Sequence, residues 1–287
     1  MKILVVGGGG MIGAPVVRRL SAEGHSVCVL SRDPSRLAPT LPAQVQILKG
    51  DATHLNEMRT AARGADAIHI SLSGSGSLTG VFANEVEGVR IVVEAAKAEG
   101  VSRVTYVSGA GDLENLQHLP FPRLKLMAER HLSVFNGHTV FRPTHVMESL
   151  RTFIRKDKAI IFGAQPNAYH YLSADDFAGV VAAALKSQVT RNATVTVLGP
   201  EPFRMEEALR IYRDICAPHL TVQTTPIWPL KIIAALTRNE RLNFATTLFS
   251  CFAKMPEAAN PGGPDVAAFY DGGFETLRRW CERQTSP

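Results

Sequence analysis

The sequence predicts an α/β fold, with a parallel, doubly wound sheet followed by a small, mainly helical C-terminal region. In the first half of the chain, short runs rich in Val and Ile alternate with longer amphipathic stretches, and the rhythm loosens after Arg142. The short runs are apolar nearly throughout, which is typical of strands that are buried on both faces of a parallel sheet. Gly24, Gly64 and Gly100 each stand just past an amphipathic stretch, where helices commonly end.

The alternation predicts the order of the elements. Strands are expected at residues 3–6, 27–30, 45–48, 67–71, 104–107, 139–141 and 194–198. Helices are expected at residues 12–23, 55–63, 81–99, 124–134, 174–186 and 205–216. Because strands and helices alternate at this rhythm, we expect right-handed crossovers between parallel strands. Residues 218–264 carry helical patches and many prolines but no clean strand alternation, so we interpret them as part of a helical cap.

Charge and cysteine content argue against several classes of partner. The chain has 31 Lys and Arg against 26 Asp and Glu, a formal net charge of +5. It contains no run of five or more basic residues, so we expect no nucleic-acid partner. The 4 cysteines form no CxxC pair and no Cys/His cluster with zinc-ligand spacing. We therefore expect reduced thiols and no metal site.

The apolar stretches are too short to predict a membrane span. Residues 227–236 form the most apolar later stretch, but Pro229 and Lys231 interrupt it, and it falls well short of a bilayer thickness. The chain begins directly with a strand-like run, without the pattern of a signal peptide. We expect no membrane span and a cytoplasmic location, and the sequence leaves oligomer formation open.

A glycine-rich turn follows the first predicted strand and opens the first helix. Gly7 permits a tight turn, Gly10 lets a pyrophosphate approach the backbone, and Gly13 lets helix and strand pack closely. The helix N-terminus, at Met11 and Ile12, offers unpaired N–H groups to an anion. These residues predict a bound nicotinamide dinucleotide, and a purely structural turn is the alternative.

The end of the second strand indicates which dinucleotide is bound. A carboxylate about twenty residues past the glycines favours NAD, but Arg32 stands in this region. A guanidinium suits a 2′-phosphate, so we favour NADP, with NAD possible. A one-residue shift would instead bring Asp33 to the ribose, and an exposed charged loop is the remaining alternative.

Further cofactor contacts are expected where later strands end. Asp51 directly follows the third predicted strand and is placed to contact the adenine, although it could equally cap the next helix. Ser71, at the end of the fourth predicted strand, is assigned to the same site.

An ordered set of short motifs accompanies the turn. They are the loop 31–36, Gly50-Asp51-Ala52, Val107-Ser108-Gly109-Ala110, Lys125-x-x-x-Glu129, Val140-Phe141-Arg142-Pro143-Thr144, residues 173–178 and Gly199-Pro200-Glu201. With these motifs, about the first 200 residues resemble the atypical short-chain dehydrogenases, particularly their NmrA-like, NAD(P)-binding branch. The resemblance implies a Rossmann domain, a variable C-terminal substrate region and a ligand pocket between them. It also places Pro143 near the nicotinamide.

The resemblance supports a division of the chain near residue 200. Residues 1–200 are expected to form the NAD(P)-binding domain, with residues 143–172 forming part of the pocket. Residues 201–287 are expected to form the small substrate-binding cap. Trp228, Phe244, Phe249 and Phe252 in this cap suggest an apolar pocket or cover.

The expected catalytic residues depart from the family pattern. The resemblance implies a Ser, Tyr and Lys set, in which the phenol acts as acid or base. Ser108 and Lys125 match the outer members, but Phe121 stands at the Tyr position and has no proton to give. His145, just past Pro143, is a further candidate because imidazole titrates in the useful range. The alternatives are that Lys125 only binds ribose or pairs with Glu129, and that Ser108 and His145 are structural.

These observations leave more than one function open. The first is an NADP(H)-dependent reductase of a small, electron-poor acceptor such as a quinone or enone, in which Lys125 or His145 supplies or orients the proton. The second is a redox sensor that binds NADP(H), with a small-molecule substrate or effector, but does not turn over. A third is a structural or assembly role for a cofactor-loaded subunit.

Overall fold

Strands and helices alternate along the first half of the chain. The computed structural model describes residues 1–73, 76–258 and 262–285. The strands are β1 (Lys2–Val6), β2 (Ser26–Ser31), β3 (Gln46–Lys49), β4 (Ala67–Ile70), β5 (Arg103–Val107), β6 (His138–Pro143), β7 (Ile154–Arg155), β8 (Lys158–Phe162), β9 (Ala168–His170), β10 (Ala193–Val197), β11 (Pro202–Arg204) and β12 (Thr221–Thr225). The helices are α1 (Gly13–Ala22), α2 (Pro34–Leu37), α3 (Leu55–Ala62), α4 (Leu78–Val81), α5 (Gly88–Ala98), α6 (Pro120–Ser133), α7 (Ala174–Lys186), α8 (Met205–Cys216), α9 (Ile227–Thr237), α10 (Glu240–Phe252) and α11 (Leu277–Thr285).

Within the described residues, seven parallel strands form the main sheet in the order β10-β6-β5-β4-β1-β2-β3. The strand order reverses between β1 and β4, and a ligand cleft is expected outside the carboxyl ends of the strands at such a reversal. The doubly wound, Rossmann-like sheet predicted from the alternation is confirmed.

Helices cover both faces of the main sheet, which explains why its strands are apolar nearly throughout. Alternate residues of β1 point to opposite faces, so that Leu4 and Val6 join one buried cluster and Ile3 and Val5 join the other. The first cluster includes side chains of α3, α5 and α6, and the second includes side chains of α1 and α7.

The C-terminal region is mainly helical, as predicted, but it also contributes strands. β11 pairs antiparallel with β9, and β12 pairs parallel with β8. The strand at Thr221–Thr225 corrects the expectation that residues 218–264 contain none. Its sequence is half exposed and largely Thr, and its partner lies some 60 residues earlier in the chain, so local periodicity could not reveal it. The boundary near residue 200 stays a prediction.

Two helices begin earlier than predicted, and both positions bear on the site. The helix expected at 81–99 starts at Leu78, and a π-helical turn at Phe82–Glu87 joins α4 to α5. Such turns are frequent at functional sites. The helix expected at 124–134 starts at Pro120, since proline suits the first helical position. Phe121 therefore lies in the first turn of α6.

Among the described residues, no helix combines the length and apolar composition that crossing a membrane requires.

Candidate cofactor and active site

The glycine turn between β1 and α1 contains two positions where a side chain would disrupt the fold. Gly7 has a φ of +88°, and a Cβ there would lie 2.3 Å from the Ser71 carbonyl oxygen. A Cβ at Gly13 would lie 2.2 Å from the Gly7 oxygen. Gly10 differs, because it is exposed and a Cβ there would meet only the Gly7 oxygen, at 3.3 Å. A side chain at Gly10 would therefore occupy ligand space rather than protein space.

A cleft of about 540 Å³ starts at this turn and passes the carboxyl ends of β1, β2 and β3. Of the predicted cofactor residues, it is lined by Gly7, Gly10, Arg32, Asp51 and Ser71. It is also lined by Arg36, Ser73 and Asn84, which the sequence analysis did not assign. Arg36 could have been found from its position four residues after Arg32 in the same loop. We call this space the cofactor cleft.

The remaining predicted cofactor residues, which include Lys125, are not among those that line the cleft. Met11 is exposed and lines a second depression on the far side of the turn. Ile12 immediately precedes α1 and packs against the sheet core. Pro143 is buried at the end of β6, where its carbonyl accepts a hydrogen bond from the Ala110 N–H at 2.8 Å.

The loop after β2 brings Arg32, Asp33 and Arg36 to the cleft. Asp33 Oδ1 accepts hydrogen bonds from Ser35 Oγ at 2.8 Å and from the Arg36 N–H at 3.2 Å, so it caps α2. These two bonds lower the pKa of Asp33. Within the part of the chain that the structure describes, neither Arg32 nor Arg36 forms a salt bridge. Asp33 Oδ1 is thus engaged within the loop, and Asp33 lines the cleft together with the two guanidinium groups.

Asp51 lies at the same edge, one strand further along. Its Oδ1 accepts from the Thr53 N–H at 2.9 Å and from Thr53 Oγ1 at 2.8 Å. Burial favours a raised pKa for Asp51, but these bonds and the charge of Arg32 outweigh burial and lower it. The suggestion that Asp51 caps α3 is wrong, because the residue before α3 is His54 and no side chain caps that end.

Ser108 and Glu129 begin a network of buried polar groups beside the cleft. Ser108 follows β5, and its Oγ donates to Glu129 Oε1 at 2.5 Å. Glu129 also forms a salt bridge with Arg142, whose Nη2 lies 2.7 Å from Glu129 Oε2. Burial alone would lower the pKa of Arg142, but its bonds to Glu129 and Glu114 raise the pKa above the usual value. Ser108 is thus held by a carboxylate that is itself held by an arginine.

Lys125 belongs to a second part of the network. Its Nζ lies 2.7 Å from Glu85 Oε2, and the two side chains are only 8% and 4% exposed. The Tyr106 hydroxyl donates to the same Glu85 oxygen at 3.3 Å, and burial together with this carboxylate raises the pKa of Tyr106 well above its usual value. The suggested Lys125–Glu129 pair is therefore wrong. We call Glu85, Ser108, Lys125, Glu129 and Arg142 the buried charge network.

The π-helical turn connects the cleft to this network. Asn84 lines the cofactor cleft, while the next residue, Glu85, is buried against Lys125. Sequence analysis did not identify Glu85, because the pair joins residues 40 positions apart in two different helices.

Phe121 faces the same lysine. The Lys125 Nζ lies 5.6 Å from the centre of the Phe121 ring, within the range of a cation–π contact. On its other side, Phe121 meets Phe252 edge to face at 5.6 Å. The position that carries the phenol in the family pattern is therefore an apolar wall.

His145 lies in an aromatic cluster. Its ring is 4.3 Å from Tyr169 and 5.0 Å from Phe252 between centroids. Burial lowers the pKa of His145 to about 4, with Glu257 opposing the shift. The imidazole is therefore neutral near pH 7 and can donate or accept a hydrogen bond, but it does not hold an extra proton.

The residues after α10 cover the carboxyl end of β6. Met255 is buried against Leu113 and Leu126. Glu257 accepts a hydrogen bond from Thr144 and lies 2.5 Å from Nδ1 of His170. Neither Met255 nor Glu257 was predicted. They place the cap directly over the buried charge network.

The aromatic residues predicted for the cap divide into two groups. Phe244, Phe249 and Phe252 point inward, with Phe249 5.2 Å from Phe162 between ring centroids. Trp228 is 66% exposed and does not contribute to an internal pocket.

A model of proteins described as NAD(P)H-binding matches residues 7–188. The chain belongs to this NAD(P)H-binding family. The match covers the glycine turn, the cofactor cleft and the buried charge network, and it establishes the cofactor class that the glycine spacing predicted.

Relatives with described roles are of two kinds. The photosystem II assembly factor Ycf39 of Guillardia theta is 25% identical over 86% of this chain and 83% of its own length. A 3 beta-hydroxysteroid dehydrogenase/Delta 5-->4-isomerase of Mycobacterium tuberculosis is 32% identical, but the match spans 47% of this chain and 43% of that protein.

Solved structures share the fold over nearly the whole chain. A nucleoside-diphosphate-sugar epimerase from Staphylococcus aureus has a TM-score of 0.74 at 18% identity, covering 98% of this chain and all of that one. The Citrobacter sp. triphenylmethane reductase, solved with NADP(H), has a TM-score of 0.71 at 18% identity, with both chains covered completely. An NADPH-dependent quinone oxidoreductase from Escherichia coli has a TM-score of 0.70 at 15% identity, covering 99% and 100% of the two chains.

Proposed function

We propose that the protein binds NADP(H) in the cofactor cleft and uses it to reduce a small, electron-poor acceptor of the quinone or enone kind. The observation that carries the proposal is the combination of two cleft arginines that form no salt bridge among the described residues with a phenylalanine at the acid–base position. The NmrA-like branch of the atypical short-chain dehydrogenases is the part of the family that the motifs favour.

The cleft fits a dinucleotide that carries a 2′-phosphate. Gly10 leaves the space above the turn free for a pyrophosphate, close to the N-terminus of α1. Arg32 and Arg36 line the far end, and each can form charge-assisted bonds to a phosphate. Asp33 also lines this end of the cleft, but its Oδ1 already accepts two hydrogen bonds within the loop, so in this proposal the arginines rather than Asp33 select the dinucleotide.

The chain's own residues limit the proton chemistry. The bound nicotinamide supplies a hydride. The Lys125 ammonium group lies 5.6 Å from the centre of the Phe121 ring, and the carboxylate of Glu85 holds it in place. His145 is neutral near pH 7, so in this proposal it orients an acceptor by hydrogen bonding rather than supplying a proton. An electron-poor acceptor suits this set, since its final protonation can come from Lys125 or from water.

The quinone and dye reductases among the similar structures support this choice of acceptor without deciding it. One is named an NADPH-dependent quinone oxidoreductase, and the other is a triphenylmethane reductase complexed with NADP(H). The steroid dehydrogenase and the sugar epimerase represent alcohol and sugar chemistry. Phe121 argues against carrying that chemistry over, because a positioned acid or base contributes about 10²–10⁴-fold to a rate.

A second candidate function is a non-catalytic one, in which the protein binds the cofactor and acts as a redox sensor or as a subunit with an assembly role. Two observations favour it. The candidate catalytic groups Ser108 and Lys125 are already engaged by Glu129 and Glu85. In addition, a relative that matches 86% of this chain is named as an assembly factor.

NADPH oxidation, followed by absorbance across a panel of quinones, enones and ketones, separates the two. We expect NADPH-dependent turnover with at least one quinone or enone, and ketone reduction slower by about 10²–10⁴-fold. The Lys97→Ala variant, in the last turn of α5, is the matched control for Lys125→Ala and should keep full activity. Robust ketone reduction would contradict the argument from Phe121. If NADPH binds tightly but none of the compounds in the panel stimulates its oxidation, the non-catalytic alternative is favoured.

A further inference from the structure

Helix α9 exposes an unusual set of large apolar side chains. Trp228 is 66% exposed, Ile232 50%, Ile233 47% and Leu236 80%. Trp228, Ile232 and Leu236 follow one another at intervals of four and so lie on one face of the helix. Ala234 is the only residue of this fully described helix that is buried. A helix apolar on nearly all sides normally lies inside a protein or a membrane.

The exposure of Trp228 contrasts with the burial of the other tryptophan of the chain. Trp280 is 1% exposed in the core between α8 and α11. Single exposed apolar residues are ordinary, but a contiguous group of them marks an interaction site. We call Trp228, Ile232, Ile233 and Leu236 the apolar face of α9.

The charges around this face are predominantly positive. Lys231 is exposed on α9, Arg238 directly follows that helix, and Arg241 lies in the first turn of α10. The segment 226–253 contains a single acidic residue, Glu240. Two copies of this face would bring like charges together. An anionic surface with an apolar interior would complement both the cations and the apolar side chains.

We infer that the apolar face of α9 docks in the interfacial layer of an anionic phospholipid bilayer. The 11 residues of α9 extend over roughly 16 Å, about half of the hydrocarbon thickness, so the helix lies along the surface. Trp228 at its first turn lies at headgroup level, and Ile232 and Leu236 enter the acyl boundary. Lys231, Arg238 and Arg241 contact the headgroup phosphates.

The apolar face of α9 is connected to the candidate site through α10. α9 and α10 form a helical hairpin, and Phe252 at the end of α10 contacts both Phe121 and His145. The inference concerns binding to the bilayer and holds whether or not the protein turns over.

Vesicle co-sedimentation tests the inference directly. Full-length protein is mixed with vesicles of phosphatidylcholine and phosphatidylglycerol, or of phosphatidylcholine alone. We expect binding to the anionic vesicles, weakened by salt. The fluorescence of the exposed Trp228 should shift to shorter wavelength, whereas Trp280 is already buried. The double variant Ile232→Asp with Leu236→Asp should lower the partition coefficient at least about tenfold.

Val134→Asp is the matched control, because Val134 is 64% exposed at the end of α6 and lies outside α9. It should bind vesicles like the wild type. Thermal unfolding and NADPH titration should show that all the variants fold. Equal vesicle binding by the double variant, or none by the wild type, overturns the inference. A concentration-dependent dimer that the double variant abolishes would also overturn it, since a second copy would then be the occupant.

Discussion

The cofactor cleft and the buried charge network lie side by side at the carboxyl edge of the sheet, yet they are built differently. The cleft is open, and its arginines lack ion-pair partners among the described residues. The network is covered by the cap, and each of its charged groups is paired. The cleft is therefore arranged for an incoming ligand, whereas the network is satisfied without one. Variants in the cleft should change binding, and variants in the network should first change stability.

Gly10→Val should produce the largest effect in the cleft. The side chain would enter the space above the turn, where a Cβ meets only the Gly7 oxygen. We expect NADPH affinity to fall at least about a hundredfold, while the unfolding free energy changes by less than about 1 kcal/mol. Calorimetric titration and urea unfolding measure the two quantities. Gly273→Val is the control, because a Cβ at Gly273 meets nothing within 4 Å. Normal binding by Gly10→Val would show that the turn does not hold the pyrophosphate.

Lys125→Ala should produce the largest effect in the network. It leaves the Glu85 carboxylate without its ammonium partner in a buried site, and breaking a buried pair costs about 3–5 kcal/mol. Lys186→Ala breaks the exposed pair with Glu23, where Lys186 is 54% exposed, and should cost less than about 1 kcal/mol. Urea unfolding compares the two variants. Adding Glu85→Gln to Lys125→Ala should recover part of the loss.

If Lys125→Ala and Lys186→Ala are equally stable, the buried Lys125–Glu85 pair contributes no more to the free energy of unfolding than the exposed Lys186–Glu23 pair. The contrast between the open cleft and the internally paired network would then be wrong. If Lys125→Ala is destabilised as expected, loss of activity in that variant is evidence for a role in proton supply only at a temperature where it remains folded.

Arg32→Ala should remove most of the preference for NADPH over NADH. A hydrogen bond to a charged group contributes about 1.5–3 kcal/mol, which corresponds to a roughly ten- to 150-fold preference. Arg36→Ala should act in the same direction, since Arg36 lines the same end of the cleft. NADH affinity is the internal control and should change little in either variant. Wild-type protein that binds NADH as tightly as NADPH would refute the assignment of these arginines to a 2′-phosphate.

A further expected effect is a pH dependence from His69, a buried polar group of the sheet. Burial lowers its pKa to about 3, and its Nδ1 lies 2.8 Å from Thr105 Oγ1. The unfolded chain, with a pKa near 6.5, binds a proton that the folded protein excludes. Stability should therefore fall as pH drops below about 6.5, with His69 contributing about 1.4 kcal/mol per pH unit.

The His69→Leu variant should lose this contribution between pH 6 and pH 4, measured by urea unfolding at several pH values. An unchanged slope would show that His69 is accessible to protons in the folded protein.

The sequence by itself determined the features that depend on neighbouring residues. The parallel sheet follows from runs of apolar residues, because strands covered on both faces have no polar side. The glycine turn follows from positions where any side chain would meet backbone, as Gly7 and Gly13 show. Arg32 could be placed from the sequence because its loop directly follows a strand, and the structure brings it to the lining of the cleft.

Only the tertiary structure decided which groups pair across the fold. The sequence placed Glu129 one helical turn from Lys125 as a possible partner. In the structure Lys125 instead pairs with Glu85, which lies outside α6, because Glu129 already binds Arg142 and Ser108. His145 was a plausible proton donor until packing lowered its pKa to about 4. Trp228 suggested an internal pocket, and the structure places it on the outside. Pairing, desolvation and the direction of a helix face depend on distant segments, so no local pattern could have determined them.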